Sequence, residues 1–337
     1  MSTENSMTED NSNKVESTDY LEKFGYRQYQ GERTGKWTRI LNFMRFEVVS
    51  TWDKSTFGKV ILIIVLLINA LGVIFSAFGG TSNVPTEAKR NALNSFVATY
   101  IVVGLNPVVA GLQVAGGLSI GVGIFIIILF AIAGSGFFAD DKQGKVIEIY
   151  LSRTSKSNYI ISKIGGMIVY VNIFLALPLL LVGGLQVQSY GLNHLQLLDF
   201  YGGIILFSLV SSLILSLGIL VLSSLVEKRQ YASLGFFLIY FLASSITPTF
   251  YLNNPDNELL LLISPSILLV LTAYLCLGDF NLGLNRGLFS PEGVTPLVLN
   301  DGVGLEWYHI ILVLLAYVVV LGGILTYKIQ KLTTEEL

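Results

Sequence analysis

Residues 201–226 read YGGIILFSLVSSLILSLGILVLSSLV, and no Asp, Glu, Lys or Arg interrupts them. A membrane-spanning helix needs roughly 20 mainly apolar residues, because the hydrocarbon layer is about 30 Å thick and a helix rises about 1.5 Å per residue. This stretch therefore predicts a helix that crosses a bilayer. Five further uncharged apolar runs lie on either side of it, at 60–79, 119–139, 164–187, 231–251 and 309–327.

The composition of the whole chain agrees with six spans. Apolar residues make up 53% of the chain and charged residues 13%, whereas an ordinary soluble domain carries about 25% charged residues. We therefore expect an all-α polytopic membrane protein. Since none of the six runs contains an ionisable carboxylate, the sequence argues against a proton-coupled carrier, whose mechanism usually needs one inside the membrane.

The distribution of basic residues sets the predicted topology. Under the six-span interpretation, all but Lys89, Arg90 and Arg286 of the 21 Lys and Arg residues lie on one side, and the side rich in Lys and Arg is cytosolic. Both termini are thus expected in the cytosol, in a multi-pass protein of the plasma membrane. Counting 97–118 or 259–277 as a further span would spoil this bias. We expect these Pro-containing stretches to be re-entrant or interfacial segments before spans two and six.

The predicted domains follow from these boundaries. Residues 1–37 are too polar to bury a core and are expected to form a disordered cytosolic tail. An interfacial amphipathic helix follows at 38–59, then the transmembrane domain at 60–327 and a cytosolic tail at 328–337. Apolar and basic side chains on different faces indicate the interfacial helix, although a basic anchor that only fixes orientation has the same pattern. The residues assigned to this helix are Arg39, Leu41, Met44, Arg45, Val48 and Trp52.

The loop between spans two and three is charged and amphipathic. Residues 140–163 read DDKQGKVIEIYLSRTSKSNYIISK, with polar side chains recurring at three- and four-residue spacing. This spacing predicts a short helix at the cytosolic membrane surface. The pattern alone leaves open whether that helix is an ordinary interfacial helix or passes motion from a soluble partner.

This loop resembles the cytosolic loop in permease subunits of ATP-binding-cassette transporters of the type-2 exporter class. The resemblance also covers the layout of an N-terminal elbow helix, six spans and broken apolar segments. It implies a coupling helix that docks on a cytosolic ATPase subunit, and a second permease copy, identical or different. ATP and Mg²⁺ would be used by the partner, with no cofactor bound by this chain. Besides Asp141, the positions that match the motif are Gly144, Glu148, Leu151, Ser152, Arg153 and Lys163.

The sequence offers no catalytic set of its own. Cys276 is the only cysteine and the chain has two histidines, so disulfide, zinc, haem and iron–sulfur sites are not expected. Residues 31–37, GERTGKW, resemble a phosphate loop but lack its spacing and the hydroxyl that holds magnesium. We therefore expect no enzyme activity, no metal site and no nucleic-acid partner, and membrane lipid around the spans.

Three hydroxyls in the fourth span are candidates for lining a transport path. Ser208, Ser212 and Ser216 recur every four residues and share one helix face. Helix packing is the alternative, because small residues allow close approach in membranes. The leading hypothesis is an ABC exporter permease. The alternatives are an autonomous channel or gradient-driven carrier, and a membrane enzyme or scaffold.

Overall fold

The computed structural model describes residues 35–78, 89, 93, 122–144, 146–147, 149–150, 154–253, 258–277 and 307–332. The chain divides into two compact units, Met1–Arg39 and Ile40–Leu337. Of the first unit the structure describes only 35–39, so most of the predicted tail at 1–37 lies outside the described residues. The predicted segment at 97–118 lies outside them as well.

Helices account for all the regular structure in the described ranges. Two short 3₁₀ helices, His194–Leu197 and Glu258–Ile263, stand between longer elements. The α-helices are α1 (Lys36–Lys54), α2 (Thr56–Phe78), α3 (Val122–Gln143), α4 (Lys156–Ser189), α5 (Leu198–Leu225), α6 (Arg229–Asn253), α7 (Pro265–Leu277) and α8 (Trp307–Leu332).

Four of these helices are long and apolar enough to cross a membrane. They are Lys156–Ser189, Leu198–Leu225, Arg229–Thr247 and Trp307–Lys331. The last four predicted spans are thus confirmed as apolar helices of spanning length. Helices α2 and α3 cover most of the first two predicted spans, and their crossing of the membrane stays a prediction.

The interfacial segment predicted at 38–59 corresponds to most of α1, which ends at Lys54, and to the first residues of α2, which begins at Thr56. Ser55 causes the break between the two helices by capping α2, since its Oγ accepts a hydrogen bond from the Gly58 amide at 3.1 Å. At the other end of the chain, α8 continues to Leu332, so the first residues of the predicted tail at 328–337 are helical.

Helix α5 lies at the centre of the bundle and is the most buried of the four spanning-length helices. Its neighbours approach closely because glycines stand at the contacts. A Cβ on Gly203 would lie 2.4 Å from the carbonyl oxygen of Cys276 on α7. On the other side, a Cβ on Gly134 of α3 would lie 2.6 Å from the Ile219 side chain. Small residues let helix backbones approach in this way.

Ser223 fixes α5 against the backbone of α3. Its Oγ accepts hydrogen bonds from the amides of Phe138 and Ala139 at 3.2 and 3.1 Å. The same hydroxyl donates to the Ser135 carbonyl at 2.7 Å. One fully buried side chain therefore contacts three backbone groups of the neighbouring helix.

The 3₁₀ helix Glu258–Ile263 and α7 correspond to the predicted re-entrant or interfacial segment 259–277. Helix α7 has 13 residues, which corresponds to about 20 Å and is shorter than the hydrocarbon layer. Tyr317, ten residues into α8, donates from its Oη to the Ile263 carbonyl at 3.0 Å. Ile310, near the start of α8, belongs to the same apolar cluster as Leu261 and Leu271.

Charged side chains bring several helix ends together at one end of the bundle. Lys142, at the end of α3, donates from its Nζ to the carbonyl of Ser224 at the end of α5. The Arg229 guanidinium, at the start of α6, lies 3.7 Å from the Asp140 carboxylate. We call this region the charged end.

Candidate functional site

A buried lysine lies at the charged end between three helices. Lys163, in the third turn of α4, is 1% exposed. Its Nζ lies 2.6 Å from the Glu47 carboxylate of α1 and 2.7 Å from the Asp141 carboxylate of α3. A buried ammonium without partners would cost several kcal/mol, so these two carboxylates make the position tenable. The two ion pairs connect α4 to α1 and to α3 through the same ammonium group.

Aromatic rings complete the surroundings of the ammonium. The centroids of the Phe43, Phe137 and Tyr159 rings lie 5.6, 5.7 and 5.5 Å from Lys163 Nζ. Cations are attracted to ring faces at such distances. The Tyr159 hydroxyl also donates to the Asp141 carboxylate at 2.6 Å. We call Glu47, Asp141, Lys163 and these three rings the Lys163 cluster.

The cluster has two carboxylates for one ammonium, and its electrostatics reflect that imbalance. Burial raises the pKa of Glu47 above its usual range, and the nearby Asp141 charge acts in the same direction. Lys163 opposes this shift without cancelling it. Glu47 therefore takes up a proton more readily than an exposed glutamate does.

Glycines and a helix cap position the cluster. Gly165 and Gly166 let α1 lie against α4, since a Cβ on Gly166 would lie 3.2 Å from Glu47 Cβ. Helix α4 begins after Ser155, whose Oγ accepts from the Asn158 amide at 3.4 Å. This N-cap fixes the start of the helix two turns before Lys163.

Of the predicted coupling residues, the structure describes Gly144 and Lys163. The Gly144 amide donates to the Asp140 carbonyl at 2.9 Å at the end of α3. In the loop, the Tyr150 amide donates to the Val146 carbonyl at 3.1 Å, and the Thr154 amide donates to the Tyr150 carbonyl at 2.9 Å. These two bonds have helical i to i−4 spacing. The residues outside the described part are Glu148, Leu151, Ser152 and Arg153.

Tyr150 connects this loop to the Lys163 cluster. Its ring packs edge-on against Phe43 of α1, with centroids 4.9 Å apart, and stacks on Tyr159 at 6.1 Å. Burial and the charges of Asp141 and Glu47 raise the pKa of Tyr150. Tyr150, in the middle of the loop, thus contacts Phe43 and Tyr159, which belong to the Lys163 cluster.

The buried face of α1 differs from the predicted apolar face. Ile40 and Glu47 are buried, whereas Leu41, which the sequence assigned to the apolar face, is 60% exposed. Glu47 was not among the residues predicted for this helix. The sequence contained a signal for its burial, because residues 44, 47 and 48 lie on the same side of a helix and Met44 and Val48 are apolar. Of the other predicted residues, Arg39 and Arg45 are exposed, and Met44, Val48 and Trp52 are half-buried.

Two cavities adjoin the charged end. A cavity of about 350 Å³ lies among α1, α2, α3 and the start of α6, and its lining combines charged side chains of both signs with apolar ones. A second cavity of about 560 Å³ lies between α3 and α6 and is mostly apolar. Ile132 and Arg229 line both cavities, so the two spaces are neighbours.

The three predicted path-lining serines are buried inside the bundle and line neither of these cavities. Ser208 and Ser212 donate to carbonyls of their own helix at 2.9 and 3.0 Å. Ser212 also accepts from the Asn172 amide group of α4 at 2.8 Å. The Ser216 hydroxyl has no hydrogen-bond partner among the described residues. A role for the three in a path stays a prediction.

Comparison of the chain with protein-family models and with curated proteins gives no match. The described residues contain no group of three or more His, Cys, Asp or Glu side chains that could hold a metal ion. Over the described residues the chain is all-helical, with four helices long and apolar enough to cross a membrane and a buried ion cluster at the charged end.

Proposed function

We propose that this chain is the membrane-spanning permease subunit of an ATP-driven transporter of the ABC type-2 exporter class. In this proposal two permease chains work with two separate cytosolic ATPase subunits, which use ATP and Mg²⁺. The observation that carries the proposal is the Lys163 cluster, because it joins the two ends of the motif-bearing loop to each other and to α1.

The cluster supports a coupling role by mechanical argument. Asp141 precedes the loop, Lys163 follows it, and their charged groups lie 2.7 Å apart. Glu47 connects the same ammonium to α1 at 2.6 Å. A displacement of the loop would therefore move α1, α3 and α4 together, because the ion pairs join all three helices. A transporter driven by a cytosolic ATPase needs a rigid connection of this kind.

The proposed topology has six spans, with α2 and α3 as the first two and the charged end in the cytosol. The clustering of charges from α3, α4 and α6 at that end supports this orientation. Helix α1 serves as the elbow helix at the membrane surface. The 3₁₀ helix Glu258–Ile263 and α7 form a re-entrant hairpin, which agrees with their contacts to the first turns of α8.

The direct test is to tag the chain in its native membrane, solubilise it mildly and identify proteins that copurify in stoichiometric amount. We expect an ATPase with a phosphate loop. Glu148→Ala and Arg153→Ala should uncouple ATP hydrolysis from transport without loss of membrane insertion. Lys36→Ala, which removes an exposed charge outside the loop, is the control.

Other outcomes would favour the alternatives. Recovery of the chain alone, with transport that follows an ion gradient and survives ATP depletion, would support an autonomous channel or carrier. A chain recovered alone and without transport would support a membrane enzyme or scaffold. Unchanged transport in both loop variants would remove the coupling role.

A further inference from the structure

The cavity of about 350 Å³ at the charged end has charged side chains of both signs in its lining. Its lining includes the carboxylates of Glu47, Asp140 and Asp141 and the cations Lys54 and Arg229. Lys163, which lies behind this wall, pairs with Glu47 and Asp141. With it, the three carboxylates are matched by three cations, so the formal charges of the region sum to zero. A neutral wall with separated charges is complementary to a zwitterion rather than to an anion.

Asp140 and Arg229 form an ion pair with each other at 3.7 Å, and their side chains are 41% and 36% exposed, so solvent and ligands reach both groups. This separation is longer than a hydrogen bond. Arg229 Nε and Nη2 donate to the Ile132 carbonyl at 3.1 and 2.8 Å, which fixes the guanidinium at the cavity edge. Lys54 is exposed at the end of α1.

The neighbouring cavity supplies the apolar half of a site. It lies between α3 and α6 and is lined by Ile128, Ala131, Leu234 and Phe237. Leu234 is 56% exposed, so this space opens sideways from the bundle. Arg229 stands where the polar and apolar spaces meet. The pair of cavities thus has a charged compartment of about 350 Å³ beside an apolar one.

We propose that these two cavities form a binding site for a phospholipid with a zwitterionic, amine-bearing head group, phosphatidylethanolamine. The phosphate lies against Arg229 and Lys54, and the primary ammonium lies against Asp140. An acyl chain follows the apolar space along Leu234. The ethanolamine ammonium has three N–H donors for a carboxylate, which a quaternary choline lacks. This site does not depend on the transport proposal, because the isolated chain contains all of it.

The test uses the full-length chain, delipidated in detergent, with native mass spectrometry to measure lipid binding. Palmitoyl-oleoyl phosphatidylethanolamine is compared with phosphatidylcholine and phosphatidylglycerol of the same chains. We expect the ethanolamine lipid to bind about fivefold more tightly than the other two, the value of one charge-assisted contact at a partly exposed site. Equal binding of the three lipids would overturn the head-group assignment.

Paired variants locate the site. Asp140→Asn should reduce phosphatidylethanolamine binding to the level of phosphatidylcholine, and Lys54→Gln should weaken all three lipids through the lost phosphate contact. The control is Asp53→Asn, which removes the exposed carboxylate directly before Lys54. This change should leave the binding of all three lipids unaltered. Retained ethanolamine selectivity in Asp140→Asn would contradict the proposal.

The apolar half is tested separately. Leu234→Trp should fill the space between α3 and α6 and reduce binding of every lipid. Leu238→Trp, one turn further along α6 at a similarly exposed position, should not. Glycerophosphoethanolamine, the head group without acyl chains, should bind more weakly than the lipid. Equal binding of this soluble compound would show a head-group pocket only and overturn the lipid assignment.

Discussion

Lys163 and Glu47 are 116 positions apart in the chain, and their charged atoms lie 2.6 Å apart in the protein. Both side chains are nearly inaccessible to solvent, so each depends on the other for its charge to be tolerated. Because α1 precedes the bundle and α4 belongs to its middle, this pair fixes the interfacial helix to the bundle.

Replacing Lys163 by Met should destabilise the protein by about 3 kcal/mol, because the buried Glu47 and the half-buried Asp141 lose their cation while the side-chain volume is kept. The measurement is the thermal unfolding midpoint of the purified chain in detergent. Lys228→Ala, which removes an exposed lysine, is the control and should change the midpoint little. Adding Glu47→Gln to Lys163→Met should recover part of the loss. An unchanged midpoint in Lys163→Met would contradict the ion-pair role.

The pH dependence of stability should reveal the raised pKa of Glu47. The folded protein holds the Glu47 proton more tightly than the unfolded chain does, since burial raises this pKa above 4.5. The free energy of unfolding of the wild type, relative to Glu47→Gln, should therefore increase as pH falls from neutral through the raised pKa towards 4.5. Unfolding midpoints of both proteins across this range measure the difference. A difference that stays flat, or decreases on acidification, would refute the raised pKa.

The sequence predicts the helices well and their contacts poorly. The run at 201–226 corresponds to α5 at Leu198–Leu225, because a long uncharged apolar run has few structures open to it in a bilayer. Such a run is apolar all round, so its pattern does not say which face is buried. Ser208 and Ser223 look alike in the sequence, yet Ser208 bonds within its own helix and Ser223 bonds to α3.

The candidate site was predicted in part for a related reason. The resemblance selected Asp141 and Lys163 as separate positions in one loop motif, and the structure brings their charges together. The position of Glu47 between apolar residues of α1 indicates burial, but a single sequence contains no signal for its contact with Lys163, 116 positions away. The aromatic rings around Lys163 likewise come from three different helices.

Replacing Ser223 by Ala should destabilise the protein by about 2 kcal/mol, because three buried hydrogen bonds between α5 and α3 are lost. Ser224→Ala is the matched control, since its hydroxyl donates to Val221 of its own helix at 2.7 Å. The expected order is a clearly lower unfolding midpoint for Ser223→Ala than for Ser224→Ala. Equal effects of the two changes would mean that the contacts to α3 add no stability.

Two adjacent glycines at the start of α5 offer a test of how closely α7 approaches it. A Cβ at Gly203 would lie 2.4 Å from the Cys276 carbonyl oxygen, whereas a Cβ at Gly202 would meet nothing within 4 Å. Gly203→Ala should therefore push α7 away and cost about 2 kcal/mol, as overpacking of a tight contact does. Gly202→Ala should be neutral or slightly stabilising, because alanine has the higher helix propensity. Unfolding midpoints in detergent measure both changes. Equal midpoints for the two variants would contradict the close packing of α5 and α7, and with it the re-entrant hairpin.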